Sequence, residues 1–215
     1  MSVPDTEVAN NIIYRTLENG AADAAFPTLL TTMFSSSEIL DSLNRVQQKF
    51  LLDTGMNTVR TAFPGNPGQN QYALPTDSIR PRRLTWQDAS DGLVRALTQV
   101  ETWELDQGYQ QWPSDAAIPI AWLEDDLPQQ QVQLAATPSN PGAVTLLYVQ
   151  LAATLTGAGV ALSIPDDWTT YILWGALQEL LSSDGPAFDP MRAQYCGRRY
   201  EEGVELAKVV LGGSW

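Results

Sequence analysis

Histidine is missing from this sequence altogether. Its absence removes the commonest general base, the commonest metal ligand and every serine or cysteine triad built on imidazole. Chemistry by carboxylates alone stays open, but no spacing of acids points to a pair set for glycoside hydrolysis. Cysteine occurs once, at Cys196, so no internal disulfide can form, which fits assembly in a reducing compartment. No apolar run approaches the roughly 20 residues of a membrane span. The start, Met1-Ser2-Val3-Pro4-Asp5, has neither the basic nor the apolar stretch of a secretory signal, so a soluble product made in a cytoplasm is expected. A phosphate-cradling loop is lacking too. Gly157-Ala158-Gly159 has no lysine behind it and no third glycine in register, and reads as a flexible loop. Neither an internal repeat nor a low-complexity tract is present.

What is there suits a packed domain. Of the 215 residues 44% are hydrophobic and 17% charged, which permits a core and argues against disorder. The formal net charge is -13, so the chain as a whole repels a phosphate backbone. Its twelve basic residues are ten arginines and two lysines, with clusters at Arg80, Arg82 and Arg83 and at Arg198 and Arg199. Arginine is favoured at protein interfaces because its planar fork holds carboxylates bidentately. Genome composition explains the same bias equally well.

The pattern of residues predicts α+β: a helical bundle with an inserted small antiparallel β module. Its parts are a helical segment over 1–64, a β module over 70–152, and a helical segment over 164–215 that completes the bundle and ends in a flexible tail. A first helix is expected over Asp5–Asn19, capped by Asp5, lined by Val8, Ile12 and Ile13 and stopped by Gly20. Ala21–Thr32, small and apolar with a break at Pro27, reads as a loop or short turn. Ser35-Ser36-Ser37-Glu38 matches a capping box, and Ile39, Leu40, Leu43, Val46, Phe50 and Leu51 follow at helical spacing, ending near Gly55. Pro64-Gly65-Asn66-Pro67-Gly68 breaks the chain. Strands are then expected at Gln71–Leu74, Ile79–Gln87, Ile118–Leu123, Gln131–Ala135 and Val144–Val149, with a short helix from Gly92 to Leu105 between the two groups. Acids at Asp166 and Asp167 open a helix from Trp168 to Leu177 that is apolar nearly all round and so must be buried on more than one side. Asp189-Pro190 starts the last helix, whose seam is Ala193, Cys196, Tyr200, Val204, Ala207 and Leu211.

Candidate chemistry is sparse. Glu124-Asp125-Asp126 could hold a hard cation but lacks the spacing and glycine of a calcium loop; a solvated turn accounts for it. No catalytic residue, metal ligand or cofactor is expected. Four tryptophans, Trp86, Trp103, Trp112 and Trp122, fall in the β module, where core packing accounts for most of them. Trp215 stands after two glycines, where it suits either an anchor in a partner's pocket or a frayed terminus.

Tyr72-Ala73-Leu74-Pro75-Thr76-Asp77-Ser78-Ile79 followed by Arg82-Arg83-Leu84-Thr85-Trp86 resembles the head-to-tail adaptor (connector) proteins of tailed bacteriophages, most closely the tail-tubular adaptors of short-tailed phages. Leu105-Asp106-Gln107-Gly108-Tyr109-Gln110-Gln111-Trp112, then Leu134-Ala135-Ala136-Thr137-Pro138, then Ala143–Val149 resemble their later segments in the same order. The likeness runs from about Ser35 onward, and the first thirty or so residues fall outside it. It implies a structural virion protein: a homo-oligomeric ring of twelve subunits, assembled in the host cytoplasm, joining the portal protein to the tail nozzle or next tail component. Genomic DNA would pass through its channel without specific binding, with no enzymatic activity and no membrane contact. Under that reading Tyr195, Arg198, Arg199, Leu211 and Trp215 meet the portal, while Arg80, Arg82 and Arg83 serve subunit or tail contacts or remain solvated. The competing readings are a soluble carbohydrate- or ligand-binding β module, which needs exposed tryptophans, and a carboxylate-dependent hydrolase, which needs two acids converging in a cleft.

Overall fold

A computed structural model describes residues 3–16, 34–124, 130–185 and 187–211, with residues 13–16 described by their backbone alone. Two helices come first, α1 (Asp5–Thr16) and α2 (Ser36–Thr54). Strands β1 (Thr58–Gly65), β2 (Gln71–Ala73), β3 (Ser78–Asp88), β4 (Val94–Ala96) and β5 (Thr98–Gln99) precede a short helix, α3 (Thr102–Gly108). Strands β6 (Ala116–Ala117), β7 (Ala121–Leu123), β8 (Gln131–Ala135), β9 (Thr137–Pro138) and β10 (Gly142–Gln150) follow, and helices α4 (Thr169–Ser182) and α5 (Pro190–Val210) close the chain. The class is α+β, with a helical unit of Met1–Asn57 and Leu151–Trp215 and a strand unit of Thr58–Gln150. The expected stop at Gly20 and loop at Ala21–Thr32 lie outside the described residues.

Within the helical unit, α2 begins with the capping box. The Ser35 amide donates to the Glu38 carboxylate at 2.6 Å, and the Glu38 amide donates to the Ser35 hydroxyl at 3.3 Å. Those donors, the Ser35 backbone first, hold the Glu38 carboxyl below its ordinary range. Gly55 ends the helix in the left-handed conformation at φ 61°. Ile39, Leu43, Val46, Phe50 and Leu51 face inward together with the buried polar Ser42, Gln47 and Thr54.

Three amides on α2 bind the extended segment that follows β10. Gln48 donates to the Ala152 carbonyl at 3.1 Å and accepts from its amide at 3.2 Å. Asn44 does the same to Leu155, at 3.1 and 2.8 Å. Gln47, wholly buried, donates to the Ala153 carbonyl at 3.2 Å and accepts from the Ser163 amide at 3.0 Å. Asp5 is not the cap outside α1 that its position suggests. It is the first helical residue, wholly buried, and its carboxylate accepts from the amides of Gly157 at 2.8 Å and Gly159 at 3.0 Å. Both glycines take positive φ, 77° and 79°, which turns successive N–H groups toward one anion. The supposed flexible loop is therefore tied to α1.

Helix α4 is apolar all round because it contacts α1, α2 and α5 within its own unit. Glycines let two of these crossings close up. A Cβ on Gly175 would lie 2.6 Å from Val46 and 2.7 Å from Tyr200; one on Gly197 would meet Gln178, and one on Gly203 would lie 2.2 Å from Tyr171 Cγ. The pairs 175 with 200, 178 with 197 and 171 with 203 run in opposite directions, so α4 and α5 are antiparallel. Asp189 caps α5 by accepting from the Arg192 amide at 3.0 Å, with Pro190 next. The seam holds Ala193, Cys196, Tyr200, Val204 and Ala207, all buried, but Leu211 leaves it: at the C-cap it is 42% exposed.

The strand unit has two main sheets. One runs β1-β10-β3-β4, antiparallel throughout. The other runs β2-β8-β7-β5, in which β5 and β7 pair in parallel; β6 and β9 form a separate parallel pair. Leu84, Trp86, Val144 and Leu146 of the first sheet pack on Tyr72, Trp122, Val132 and Leu134 of the second. On the second sheet's other face Leu105 and Trp112, from α3 and the turn after it, pack on Ala121, Leu123 and Ala135. The layers are thus sheet, sheet, helix. Asp77 of the Leu-Pro-Thr-Asp stretch accepts from Tyr148 at 3.2 Å and Gln150 at 2.6 Å, which locks the entry to β3 against the end of β10. Gly92–Leu105 is not one helix. It forms β4, β5 and the start of α3, because β3 and β7 offer ladder partners that override the helical spacing of Leu93, Leu97 and Val100.

The packing and the cap of α2 set four outcomes. Gly203→Ala should destabilise by about 1–3 kcal/mol in denaturant melts, since overpacking against Tyr171 exceeds the helix-propensity gain. Gly108→Ala, with open space at its Cβ, should be neutral or slightly stabilising. Ser35→Ala should cost about 1 kcal/mol through loss of the cap. Because the folded carboxyl of Glu38 titrates below 4.5, its contribution is complete above that pH and disappears as pH falls through the lowered value. The stability gap between wild type and Glu38→Gln should therefore narrow in acid.

Candidate functional site

Helix α5 spans 21 residues, about 31 Å at 1.5 Å per residue, and buries one side against α4. The opposite side follows from the same periodicity. Met191, Tyr195, Arg198, Arg199, Glu202, Leu206, Val209 and Val210 fall within one stripe, and all are exposed. Its middle is organised. The Arg199 side chain donates to the Tyr195 hydroxyl at 3.1 Å and to Glu202 at 2.9 Å, with its guanidinium 5.5 Å from the centre of the Tyr195 ring. The hydroxyl contact, then the Glu202 carboxylate, push the Arg199 pKa further above its ordinary value. Tyr195 stands edge-on to Trp174, ring centres 5.8 Å apart. Arg198 has no side-chain partner among the described residues. Beyond this polar middle the stripe turns apolar, with Val209 74% exposed and Leu206 and Val210 open beside it.

Of the residues expected to meet a partner, Tyr195, Arg198 and Arg199 share the outer stripe of the terminal helix, Leu211 stands apart from it at the C-cap on the line of the seam, and Trp215 lies outside the described residues. Leu206, Val209, Val210 and Met191 were not singled out, although the spacing of the seam already places them opposite it.

The arginines of β3 belong to the strand unit. Arg80 and Arg83 are exposed and Arg82 half-buried. The register skips Arg82 between Arg83 opposite Leu147 and Pro81 opposite Tyr148, so Arg82 is a bulge residue. Burial first, and neighbouring Arg80 second, lower its pKa. On the open face of that sheet Arg83 lines a depression of about 260 Å³ with Arg60, Thr85, Val94, Thr145 and Leu147. A second depression, about 530 Å³, lies beside α3 and is lined by Gln99, Val100, Glu101, Trp103, Glu104 and Glu124. Asp125 and Asp126 lie outside the described residues.

Trp86 and Trp122 are fully buried and Trp112 nearly so, while Trp103 is 55% exposed. In the helical unit a cleft of about 310 Å³ is lined by Glu38, Asp41, Glu179 and Asp184 among others, but Glu38 is committed to its cap and Glu179 to Arg45 at 3.1 Å. Among the described residues no three His, Cys, Asp or Glu side chains gather as a metal-binding group. No described helix is long and apolar enough to cross a membrane.

The family model described as SU10 adaptor protein matches residues 14–210. No curated protein matches the chain. If the outer stripe of α5 serves contacts outside its own fold, Val209→Asp with Val210→Asp should leave stability within about 0.5 kcal/mol of wild type by urea melts. A loss of several kcal/mol would mean that the stripe is packed in the free protein.

Proposed function

The chain belongs to the SU10 adaptor protein family, and from that premise we propose that this phage adaptor forms a closed ring in the virion, between the portal protein above and the tail nozzle or next tail component below. Heterologous contacts between neighbours close such a ring. The observation that carries the reading is the outer stripe of α5. A terminal helix whose seam is fully used still presents aromatic, arginine and then aliphatic side chains over its whole length. Aromatic residues and arginine are the side chains that anchor interfaces. Tyr195, Arg198, Arg199, Leu211 and Trp215 are accordingly assigned to the portal. Arg80, Arg82 and Arg83 are assigned to subunit or tail contacts.

The net charge of -13 supports a channel lined by carboxylates, along which DNA slides without sticking. A glycan-binding reading is weaker, because three of the four tryptophans of the strand unit are in its core.

The test is to mix the purified protein with portal rings and weigh the product by native mass spectrometry. A ring of adaptor copies should load. Deleting Gly212–Trp215, or replacing Val209 and Val210 by aspartate, should cut loading at least about tenfold while helical content by circular dichroism is unchanged. Undiminished loading by both variants would overturn the assignment of this end to the portal. The free protein should give no shift of duplex DNA even at low salt.

A further inference from the structure

We propose that the strand unit carries the two halves of a head-to-tail contact with a second copy of this chain: the open sheet face around Arg60 and Arg83 receives the acidic, tryptophan-bearing side of α3 from its neighbour. The proposal deepens the ring reading above and rests on it.

The receiving face is built by register. Arg60 of β1 pairs with Leu147 of β10, and Leu147 pairs with Arg83 of β3, so the two arginines flank one leucine in a single row. At about 4.8 Å per strand their backbones are about 10 Å apart. In the next row Ala62, Thr145, Thr85 and Ala96 align across four strands. Arg60, Ala62, Arg83, Val94 and Ala96 are all exposed, and no carboxylate lines the 260 Å³ depression between them. Neither Arg60 nor Arg83 has an ion pair or side-chain hydrogen bond among the described residues. In a chain with 25 acids against 12 bases, two unpaired arginines held side by side mark a place kept for an anion from outside.

The matching surface lies at the β5 edge of the second sheet, where α3 begins. There Glu101, Glu104 and Glu124 surround the exposed Trp103 in the 530 Å³ depression. Trp103 donates its indole N–H to Glu101, which fixes a half-exposed ring on which a guanidinium can stack. Each carboxylate can accept further donors beyond its present ones. One face is cationic and apolar, the other anionic and aromatic, and no lining residue is shared between them. Two distinct complementary faces give a heterologous contact, which repeats from copy to copy and closes into a ring where the rotation allows. A nucleic acid is the less suitable occupant, because the net charge of -13 opposes its approach.

The experiment is a charge exchange. In the double variant Arg60→Glu, Arg83→Glu both faces are acidic; in Glu101→Arg, Glu104→Arg both are basic. By sedimentation at high protein concentration, and by copies loaded per portal ring, each alone should associate at least about tenfold more weakly than wild type. An equimolar mixture should recover association, because each variant then meets a partner of opposite sign. Trp103→Ala, which removes no core contact, should weaken association with unchanged melting temperature. Association of either double variant alone at the wild-type level overturns the proposal, as does a mixture of folded variants that fails to recover. Wild-type protein that stays monomeric both free and with portal also overturns it. Portal loading by wild type with no defect in either double variant removes this contact and leaves the adaptor reading intact. Recovery by the mixture without any portal binding does the reverse.

Discussion

The helical unit is made from both ends of the chain, and the interaction on which it depends is the set of side-chain amides that fastens one end to the other. Asn44, Gln47 and Gln48 present donor and acceptor together to the backbone of residues 152–163, so that α2 acts toward this segment as a neighbouring strand would. Asp5 does the equivalent for residues 157–159 from α1. An extended segment laid on a helix has no ladder of its own, and buried backbone groups without partners cost about 1–3 kcal/mol each. Six amide contacts from three residues remove that cost at the place where the chain returns to the bundle. With the return segment fixed, α4 enters in the one register that brings Gly175 under Val46 and Tyr200.

The glycines extend this constraint to the surface. Glycine inside a helix costs about 1 kcal/mol relative to alanine, so Gly175, Gly197 and Gly203 are retained for what their missing Cβ permits. Each admits a larger side chain from a neighbouring helix: Val46 and Tyr200, Gln178, and Tyr171. The seam between α4 and α5 is then so close that, Tyr200 apart, mostly small residues fill the inner side of α5. Its other large residues, Tyr195, Leu206 and Val209 among them, are left on the outer side. Tight packing inside and an aromatic and aliphatic stripe outside are thus two consequences of one sequence pattern.

Much of this was legible in the residues. The capping box at Ser35 and Glu38, the Asp189-Pro190 start of α5 and the all-round apolarity of α4 each state a local physical requirement that the fold meets. The α+β class and the phage-adaptor resemblance followed from elements and motifs in order. What escaped was set by distant partners. Asp5 looks like a cap until Gly157 and Gly159 arrive from 152 and 154 residues away. Leu93 and Leu97 suggest a helix until β3 and β7 offer ladders to the residues beside them. Strand β1 alternates Val59, Thr61 and Phe63 against Arg60 and Ala62, a pattern that was there to read between two stronger signals. The bulge at Arg82 could not be read at all: it divides Arg80, Arg82 and Arg83, one cluster in the sequence, into residues of different exposure.

That division bears on how a chain of net charge -13 can be selective about its contacts. Uniformly spread acid gives repulsion between copies and from DNA alike, so specificity has to come from where the few bases stand. Most of the paired ones are spent within a turn or a hairpin, Arg95 on Asp91, Arg192 on Asp189, Arg199 on Glu202 and Lys208 on Glu205. Such exposed pairs add little stability, with a median near 0–1 kcal/mol. Their effect is to cancel positive charge locally, so that Arg60 and Arg83 on the sheet and Arg198 on the terminal helix stand out against an acidic background. Arg60 and Arg83 share the sheet face with exposed Val94, and Arg198 shares the outer stripe of its helix with Leu206 and Val209. Charge then sets which surfaces approach, and apolar area holds those that fit.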